Sequence, residues 1–475
     1  MKSIFSTEEN EGLGKNLFFA VASQGVGLMS SILMSLIVPK VLGVKDYAYW
    51  QLFLLYTSYS GLALLGVNDG FYLRLGGERY GNLDFGRLKA QLITVMVGQL
   101  AIGVACLAIL NAVETDPNRR FVFFFVVLNG LVANLTVCVR YLFQTTNLTQ
   151  ISSIADMLSK ASFLACALSI LLVGASMAWP FIVLYTLCQA LTFGYILICA
   201  RRIMFARAEC LHALIDCRND IASGIKITIS YYADSLIVGI TRMMVDWRLG
   251  LATFGKISFA FSLTNFVLGF IGQVSMVLFP VLKRLDGAEQ RHKYLQIRSA
   301  LHVLLPLAYL LYVPVRVILG WWLPQYEESL LYLALTMPLC IYSCKANFLF
   351  DTYLKMGRHE GVLGAVNVFT MSLNAALSAV AVFGFASVEW AAIGIVASVV
   401  VRDFVFEYYE AREQGVEYLG SCLSELALSA GFMVASWTLN LWSWPAVAAM
   451  LVAYLAFGRG ETALVAGAVK SRLHQ

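Results

Sequence analysis

Apolar stretches long enough to cross a lipid bilayer recur along almost the whole sequence. A helical span needs roughly 20 apolar residues, and its backbone must hydrogen-bond within the span because lipid offers no partners. The apolar runs are continuous rather than alternating, which argues against a β-barrel. The sequence therefore predicts an all-α polytopic membrane protein with about fourteen transmembrane helices, or about thirteen if the weak last stretch is left out. The predicted centres are Met29, Leu55, Val97, Phe125, Ala165, Ile182, Ile237, Val267, Leu305, Thr336, Thr370, Ile395, Gly431 and Val452.

The composition agrees with this prediction. Of the 475 residues, 59% are hydrophobic and only 13% are charged, and the mean hydropathy is +0.74. A water-facing surface does not tolerate so many apolar side chains. The apolar stretch from about Leu17 to Val38 is too long for the core of a signal peptide, so we interpret it as a retained first span.

Lysine and arginine residues are unevenly divided between the two sets of loops. If the N-terminus is cytoplasmic, the loops after even-numbered spans are cytoplasmic too, and that side holds roughly two dozen of the 34 Lys and Arg residues, against about seven on the other side. The positive-inside rule therefore predicts that both termini are cytoplasmic. For a bacterial protein this means a multi-pass protein of the cytoplasmic (inner) membrane.

A weak internal repeat predicts two halves. The motif LGVKDYAYWQLF begins at Leu42 and the motif LGLATFGKISFA begins at Leu249, and in each a Leu-Gly pair is followed four residues later by an aromatic residue. We expect two six-helix bundles joined by a cytoplasmic amphipathic linker, with a C-terminal helix pair appended. The predicted ranges are 1–200 and 221–412 for the bundles, 201–220 for the linker, and 413–475 for the helix pair and tail.

The clearest sequence motif is VNDGFYLRLGGERYG, Val67 to Gly81. It resembles the pattern of bacterial oligosaccharide (O-antigen type) flippases of the polysaccharide-transporter family, within the multidrug/oligosaccharidyl-lipid/polysaccharide exporter superfamily. The stretch from Phe254 to Arg284 resembles the same family's eighth span and following loop. The resemblance implies a flippase that moves an undecaprenyl-pyrophosphate-linked oligosaccharide from the cytoplasmic to the outer leaflet by alternating access. Its implied role is surface polysaccharide biosynthesis, such as that of lipopolysaccharide O-antigen or capsule.

The resemblance also implies partners. They are the lipid-linked oligosaccharide, the phospholipid bilayer and other polysaccharide assembly proteins, with no nucleic acid. The sequence contains no GxxxxGK[ST], HExxH or GxSxG motif, and no Cys/His spacing that suits zinc. We therefore predict no enzymatic activity, no catalytic residue and no cofactor or metal, with a proton or sodium ion as the open choices for coupling.

Charged side chains inside apolar spans are the candidate site residues, because each costs roughly 2.5 to 3.5 kcal/mol on insertion scales. Asp156 and Lys160 are four residues apart on one helix face, which predicts an ion pair with either a structural or a cavity role. Asp234 and Arg242 also share a face. For a pyrophosphate cargo, cations would bind phosphate oxygens, and Asp156 and Asp234 would tune them or carry the coupling ion.

Four further cations belong to this candidate set. Lys345 lies inside the tenth span, and its alternative is to extend its amine to the cytoplasmic interface. Arg140 lies near a cytoplasmic end and Lys256 near an outer end, where the same alternative applies. Arg74, with Asp69, lies at the cytoplasmic mouth of the second span, where Asp69-Gly70 also predicts a turn that stops the helix.

Two other functions stay open at this stage. An ion-coupled multidrug or metabolite antiporter of the same superfamily predicts a cavity dominated by carboxylates. A membrane polysaccharide polymerase or glycosyltransferase predicts a sizeable outer loop with catalytic residues, yet every predicted outer loop is shorter than about 15 residues.

Overall fold

The computed structural model describes residues 25–174, 176–282 and 287–458, and every regular element in these ranges is a helix. The predicted all-α polytopic chain is confirmed. Both predicted cytoplasmic termini, the start of the first span, and Lys283 and Arg284 at the end of the second family-like stretch lie outside the described residues.

The chain divides into two compact units, one up to Tyr232 and one from Ala233. The helices of the first unit are α1 (Gly25–Leu64), α2 (Val67–Leu75), α3 (Phe85–Val113), α4 (Pro117–Thr145), α5 (Thr149–Val173), α6 (Ala178–Cys199), the short α7 (Arg201–Phe205) and the first part of α8 (Ala213–Leu249). The second unit contains the rest of α8, then α9 (Leu251–Leu282), α10 (Glu289–Trp322), α11 (Pro324–Thr336), α12 (Pro338–Met356), α13 (Glu360–Gly384), α14 (Val388–Gln414), α15 (Leu419–Thr438) and α16 (Ser443–Phe457).

Every predicted span centre lies within one of these helices. Among the described residues, 8 helices are long and apolar enough to cross a membrane, or up to 9 when α11 and α12, bent by 43°, count as one broken span. Other predicted spans lie in α8 and α14, which carry many charges, and in the shorter α16. The four charged residues in the second half of α14 that precede its last turn, Arg402, Asp403, Glu407 and Glu410, are buried inside the protein, so they do not prevent the helix from lying at membrane depth.

The repeat glycines have the same local structure in both units. Gly43 has φ +69° and interrupts α1, while Gly250 has φ +88° and separates α8 from α9. Glycine adopts this left-handed conformation without the steric cost that a Cβ would bring. The aromatic residue four positions later, Tyr47 or Phe254, is fully buried in each case. The glycine thus ends one helix, and the aromatic side chain anchors the next.

In the first unit α4 is the central helix, packed against α1, α2, α3, α5 and α6. Its start is well defined in sequence, because the Asp116 side chain accepts a hydrogen bond from the Asn118 backbone N–H at 2.9 Å and Pro117 occupies the first helical position. In the second unit α14 packs against α11, α12 and α13, and α15 packs against α11 and α16.

The family-like motif folds differently from the turn that Asp69-Gly70 predicts. Both residues lie inside α2, and the chain instead breaks at Leu65 and Gly66, which have positive φ. Gly70 has a packing role, because a Cβ at that position would lie 2.2 Å from the backbone oxygen of Asp220. A glycine here lets α2 lie backbone to backbone against α8, so the turn prediction is wrong for a steric reason.

The predicted linker, residues 201–220, contains α7, a 3-10 turn at Cys210–His212 and the start of α8. It packs on α3, where Lys89 Nζ donates to the carbonyls of Met204 at 2.7 Å and Ala206 at 2.9 Å. The segment is therefore held against the first unit by side-chain contacts.

Candidate functional site

Three of the charged residues predicted from sequence line one cavity in the first unit. Arg140 comes from α4, and Asp156 and Lys160 come from α5. The cavity has a volume of about 350 Å³, within the range of small-molecule sites. Its other lining residues come from α1, α4, α5 and α6: Gly27, Ser30, Ser31, Met34, Trp50, Leu54, Ala133, Thr136, Val137, Ser159, Phe163, Tyr185, Gln189 and Thr192.

Asp156 pairs with Arg140 on the neighbouring helix and not with Lys160 on its own helix. Arg140 Nη1 lies 2.5 Å from Asp156 Oδ1, and Nη2 lies 3.3 Å from Oδ2. The planar guanidinium meets both carboxylate oxygens, which a lysine amine four residues away does not do. The ion pair that the spacing of Asp156 and Lys160 predicts is therefore replaced by a bond between helices.

Lys160 is left with its charge facing α1. Its Nζ lies 3.2 Å from the position that a Cβ on Gly27 would occupy, so the absence of a side chain at Gly27 makes room for the amine. Among the described residues, no carboxylate forms an ion pair with Lys160, which is half-buried at the cavity wall. The charged lining residues, Arg140, Lys160 and Asp156, thus give the cavity a net positive charge.

Aromatic side chains form one wall of this cavity. The ring of Trp50 stacks on Phe163 with 5.7 Å between centroids, and Tyr185 meets Phe163 edge to face at 5.0 Å. The indole Nε1 of Trp50 is buried without a hydrogen-bond partner among the described residues. Ser159 donates to the amide oxygen of Gln189 at 3.3 Å. The wall therefore combines aromatic rings with amide and hydroxyl groups.

This arrangement suits a ligand with an anionic part and a polar, ring-containing part. Ammonium and guanidinium groups bind phosphate oxygens through charged hydrogen bonds, while aromatic faces and neutral polar groups fix the orientation of a bound molecule. Trp50, Phe163 and Tyr185 do not belong to the candidate set predicted from the sequence, because aromatic residues occur along the whole chain.

The predicted residues of the second unit do not share this cavity. Asp234 accepts a hydrogen bond from Arg402 of α14, and Arg242 donates to the Ser258 hydroxyl at 3.1 Å and lies over the Phe254 ring. Lys256 pairs with the exposed Glu328 at 2.5 Å. Asp234 and Arg242 each have their own partner, although they share a helix face.

Lys345 lies in a buried cluster of charges. It is 1% exposed, and its Nζ lies 2.6 Å from Asp403 Oδ2 and 2.9 Å from Glu425 Oε2. The alternative in which the amine extends to the membrane interface is wrong, because these carboxylates hold it inside the protein. A lysine so enclosed is not available to a phosphate group in this conformation.

Sequence reasoning missed the partners of Lys345. Asp403 and Glu407 are four residues apart on α14, a spacing that places them on one face. This signal is present in the sequence. Because the predicted span is centred at Ile395, Asp403 and Glu407 fall near its predicted cytoplasmic end. Their burial was therefore not predicted.

Arg74 and Asp69 both bind α8 within the first unit. Arg74 donates to both carboxylate oxygens of Asp220 at 2.8 Å, and also to Gln91 at 2.9 Å. Asp69 accepts a hydrogen bond of 2.6 Å from the Thr228 hydroxyl. Burial raises the pKa of the Asp69 carboxyl from its ordinary value, while the Thr228 hydrogen bond acts in the opposite direction. Both residues connect α2 to α8 and lie outside the cavity lining.

Comparison with known proteins gives a family match over part of the chain and a shared fold. The sequence profile of a family described as "Polysaccharide biosynthesis protein" matches residues 85–286, a range that includes Arg140, Asp156 and Lys160. No curated protein matches the chain significantly in sequence.

Three solved structures share the fold over most of their length. The lipid II flippase MurJ in an inward closed conformation has a TM-score of 0.61 at 12% identity, covering 93% of this chain and 98% of that chain. An inward-facing multidrug resistance MATE family transporter of the MOP superfamily has a TM-score of 0.56 at 11% identity, covering 83% and 98%. A MATE protein in complex with MaL6 has a TM-score of 0.54 at 9% identity, covering 87% and 98%.

At these identities the likeness to solved structures shows the fold. The family profile and the shared fold agree with the resemblance carried by Val67 to Gly81. The chain is a multi-pass membrane protein that matches the polysaccharide biosynthesis family over residues 85–286 and shares its fold with the MurJ and MATE structures.

Proposed function

We propose that this protein is a flippase that moves an undecaprenyl-pyrophosphate-linked oligosaccharide from the cytoplasmic to the outer leaflet by alternating access. The observation that carries the proposal is the first unit's cavity, where Lys160 and the Arg140–Asp156 pair lie beside the aromatic wall of Trp50. The process served is surface polysaccharide biosynthesis. The polysaccharide biosynthesis profile supports this assignment, and its matched range contains the charged residues of the cavity.

The two ends of the cargo head match the two kinds of side chain in the cavity. The pyrophosphate would bind Lys160 and the guanidinium of Arg140, because charged donors form short, strong hydrogen bonds with phosphate oxygens. The sugar rings would lie against the aromatic wall and exchange hydrogen bonds with groups such as Gln189. Release of Arg140 from Asp156 would free a second cation for the phosphates.

The charge of the cavity favours this cargo over the cationic drugs of a multidrug antiporter. The described lining contains a single carboxylate, Asp156, and Arg140 already neutralises it. A cationic ligand would meet the positive charge of Lys160 without a free carboxylate to offset it. A polymerase or glycosyltransferase remains the less favoured alternative, because the family profile and the fold point to transport.

The setting we propose is the bacterial cytoplasmic membrane, with both termini in the cytoplasm. Arg74, Arg79, Arg87 and Lys89 belong to one of the arginine- and lysine-rich loops that support this orientation. The lipid-linked cargo would reach the protein from the cytoplasmic leaflet, where other polysaccharide assembly proteins would complete the oligosaccharide.

The test is a leaflet-resolved assay of undecaprenyl-pyrophosphate-linked oligosaccharide in proteoliposomes. Losing one charged hydrogen bond costs about 1.5–3 kcal/mol, so Lys160→Ala or Arg140→Ala should weaken translocation roughly 10- to 100-fold at low cargo concentration. Arg140→Lys should retain part of the activity. Arg412→Ala, which removes an exposed cation from the end of α14, is the matched control and should leave translocation unchanged.

Two results would contradict the proposal. If the intact protein moves no lipid-linked oligosaccharide across several cargo sugars and ion gradients, the antiporter becomes the leading function. If the protein is active but Lys160→Ala and Arg140→Ala behave like Arg412→Ala, the cargo does not bind in this cavity.

A further inference from the structure

Seven ionisable side chains meet in the interior of the second unit. They are contributed by four helices, and each is at most 4% exposed. Two cations, one histidine and four carboxylates make up this set, which we call the buried cluster: Arg298 and His302 of α10, Lys345 of α12, Asp403, Glu407 and Glu410 of α14, and Glu425 of α15.

Direct contacts connect these residues, apart from Glu410, which follows Glu407 on α14. Arg298 Nε donates to Glu407 Oε1 at 2.5 Å, and Lys345 bridges Asp403 and Glu425 while lying 3.6 Å from Glu407 Oε2. The imidazole of His302 lies between two carboxylates. Its Nδ1 is 3.5 Å from Glu425 Oε2, and its Nε2 is 4.0 Å from Glu407 Oε1.

The charges of the buried cluster do not balance. Four carboxylates face two permanent cations, because Lys345 and Arg298 are the basic residues and His302 is neutral in its ordinary state at pH 7. Excess negative charge buried away from water is costly. A bound proton relieves this cost without requiring any space.

Other groups near the buried cluster do not alter this count. They are phenols and thiols that are uncharged at neutral pH, and two exposed carboxylates, Glu413, which pairs with His359 at 3.2 Å, and Glu417. The phenols and thiols are Tyr294, Tyr309, Tyr342 and Cys422.

Several polar atoms in the buried cluster have no hydrogen-bond partner among the described residues. They include Asp403 Oδ1, Glu410 Oε1 and His302 Nε2. A buried carboxylate oxygen without a donor is a position where an added proton would bind, since the neutral acid costs less to bury than the anion.

A cavity borders the buried cluster at His302, whose side chain is fully buried. This second cavity has a volume of about 210 Å³ and is lined by polar groups, among them Glu417, Ser421, Ser424 and Tyr454. The Tyr454 hydroxyl lies 3.4 Å from His302 Nδ1 and donates to the His302 backbone oxygen at 3.1 Å. Such a cavity has room for water. It lies where α15 begins and α16 ends, the side that the positive-inside rule makes cytoplasmic.

We propose that the buried cluster is a proton-binding site, and that His302 transfers the proton between the second cavity and the carboxylates of Glu425 and Glu407. One ring nitrogen of His302 takes a proton from a hydronium ion in the cavity, which becomes water. The other ring nitrogen then gives up its own proton to a carboxylate oxygen, which becomes a carboxylic acid, and the imidazole is neutral again. The added proton is distributed over the carboxylates of the buried cluster rather than fixed on one residue.

This site would supply the ion for the proposed transport, and in that role the inference rests on the proposed function. We favour a proton over sodium because Lys345 occupies the centre of the carboxylates, where a sodium ion would have to bind.

The test is infrared difference spectroscopy of the full-length protein in lipid, without cargo, as the pH is raised. A protonated carboxyl has a carbonyl stretch that disappears on deprotonation. We expect a titrating band in the intact protein, its loss or shift in Glu425→Gln and Asp403→Asn, and slower exchange of the band into deuterium oxide in His302→Phe. Asp156→Asn, in the cavity of the first unit, is the control and should leave the band unchanged.

Three results would overturn the inference. They are the absence of a titrating band, a band that Glu425→Gln, Glu407→Gln and Asp403→Asn all leave unchanged, and removal of the band by added sodium chloride at constant pH but not by potassium chloride. If a substituted protein does not fold, the intact protein and His302→Phe still decide the question. Because the spectra need no cargo, a missing band is distinguishable from a failure of translocation in proteoliposomes.

Discussion

The two units place intramembrane charges in opposite surroundings. In the first unit, Lys160 and the Arg140–Asp156 pair line a cavity, and Lys160 has no carboxylate partner among the described residues. In the second unit, Lys345 and Arg298 are enclosed by carboxylates and hidden from solvent. The same residue types thus serve different purposes. A charge beside a cavity is available to a ligand, whereas a cation enclosed by carboxylates offsets their buried negative charge.

The difference follows from burial and partners rather than from residue type. A half-buried lysine keeps water or a ligand as its partner, so the unit does not depend on it for stability. A fully buried lysine must be matched by nearby carboxylates, and these become costly if the lysine is removed. The two cations therefore predict opposite responses to the same substitution.

The largest expected effect is on stability in the second unit. Lys345→Ala leaves Asp403 and Glu425 buried without their cation, and removing one partner of a buried ion pair costs about 3–5 kcal/mol. We expect a strongly lowered thermal unfolding temperature in detergent and reduced protein yield. Lys160→Ala in the first unit should change stability by less than about 1 kcal/mol while impairing transport.

The comparison would fail if these two responses were reversed. Equal losses of unfolding temperature for Lys345→Ala and Lys160→Ala would mean that Lys160 is also structural. A stable Lys345→Ala protein would mean that the cluster carboxylates bind protons so readily that Lys345 is dispensable.

A smaller effect on stability is expected for Lys256, a partly exposed cation of the second unit. Lys256 pairs with Glu328, whose side chain is 61% exposed. An exposed ion pair is worth about 0.2–1 kcal/mol. Lys256→Ala should therefore lower the unfolding temperature only slightly, and this loss should become smaller when salt is added. Lys345→Ala should show neither behaviour. A loss as large as that of Lys345→Ala would show that every cation of this unit is structurally required.

The sequence predicts the fold well, because the length of an apolar stretch is a local property. All the predicted span centres lie in helices. The weak sequence repeat also corresponds to a shared structural feature. Gly43 and Gly250 both interrupt helices before a buried aromatic residue.

The candidate site was harder to predict, because partners come from different helices. Spacing within α5 predicts a pair between Asp156 and Lys160, but the partner that binds Asp156 is Arg140, 16 residues away on α4. The carboxylates around Lys345 lie 58 to 80 residues further along the chain, as the sequence numbers of Asp403 and Glu425 show. No local pattern reports such contacts.

The turn predicted at Asp69-Gly70 failed for a related reason. The dipeptide does favour turns, yet the close backbone of α8 at Asp220 gives Gly70 a packing role inside α2. The contact with α8 therefore explains why Gly70 continues the helix instead of forming a turn.

The central claim is that the anionic cargo head binds in the first unit and not at the charges of the second. The most direct measurement is photo-crosslinking with a lipid-linked pyrophosphate oligosaccharide carrying a photoreactive group on its first sugar, followed by peptide mapping. We predict adducts on α4, α5 and α6, near Arg140, Lys160 and Gln189, and their loss in Lys160→Glu. Adducts on α12, α14 or α15 that survive this substitution would contradict the account.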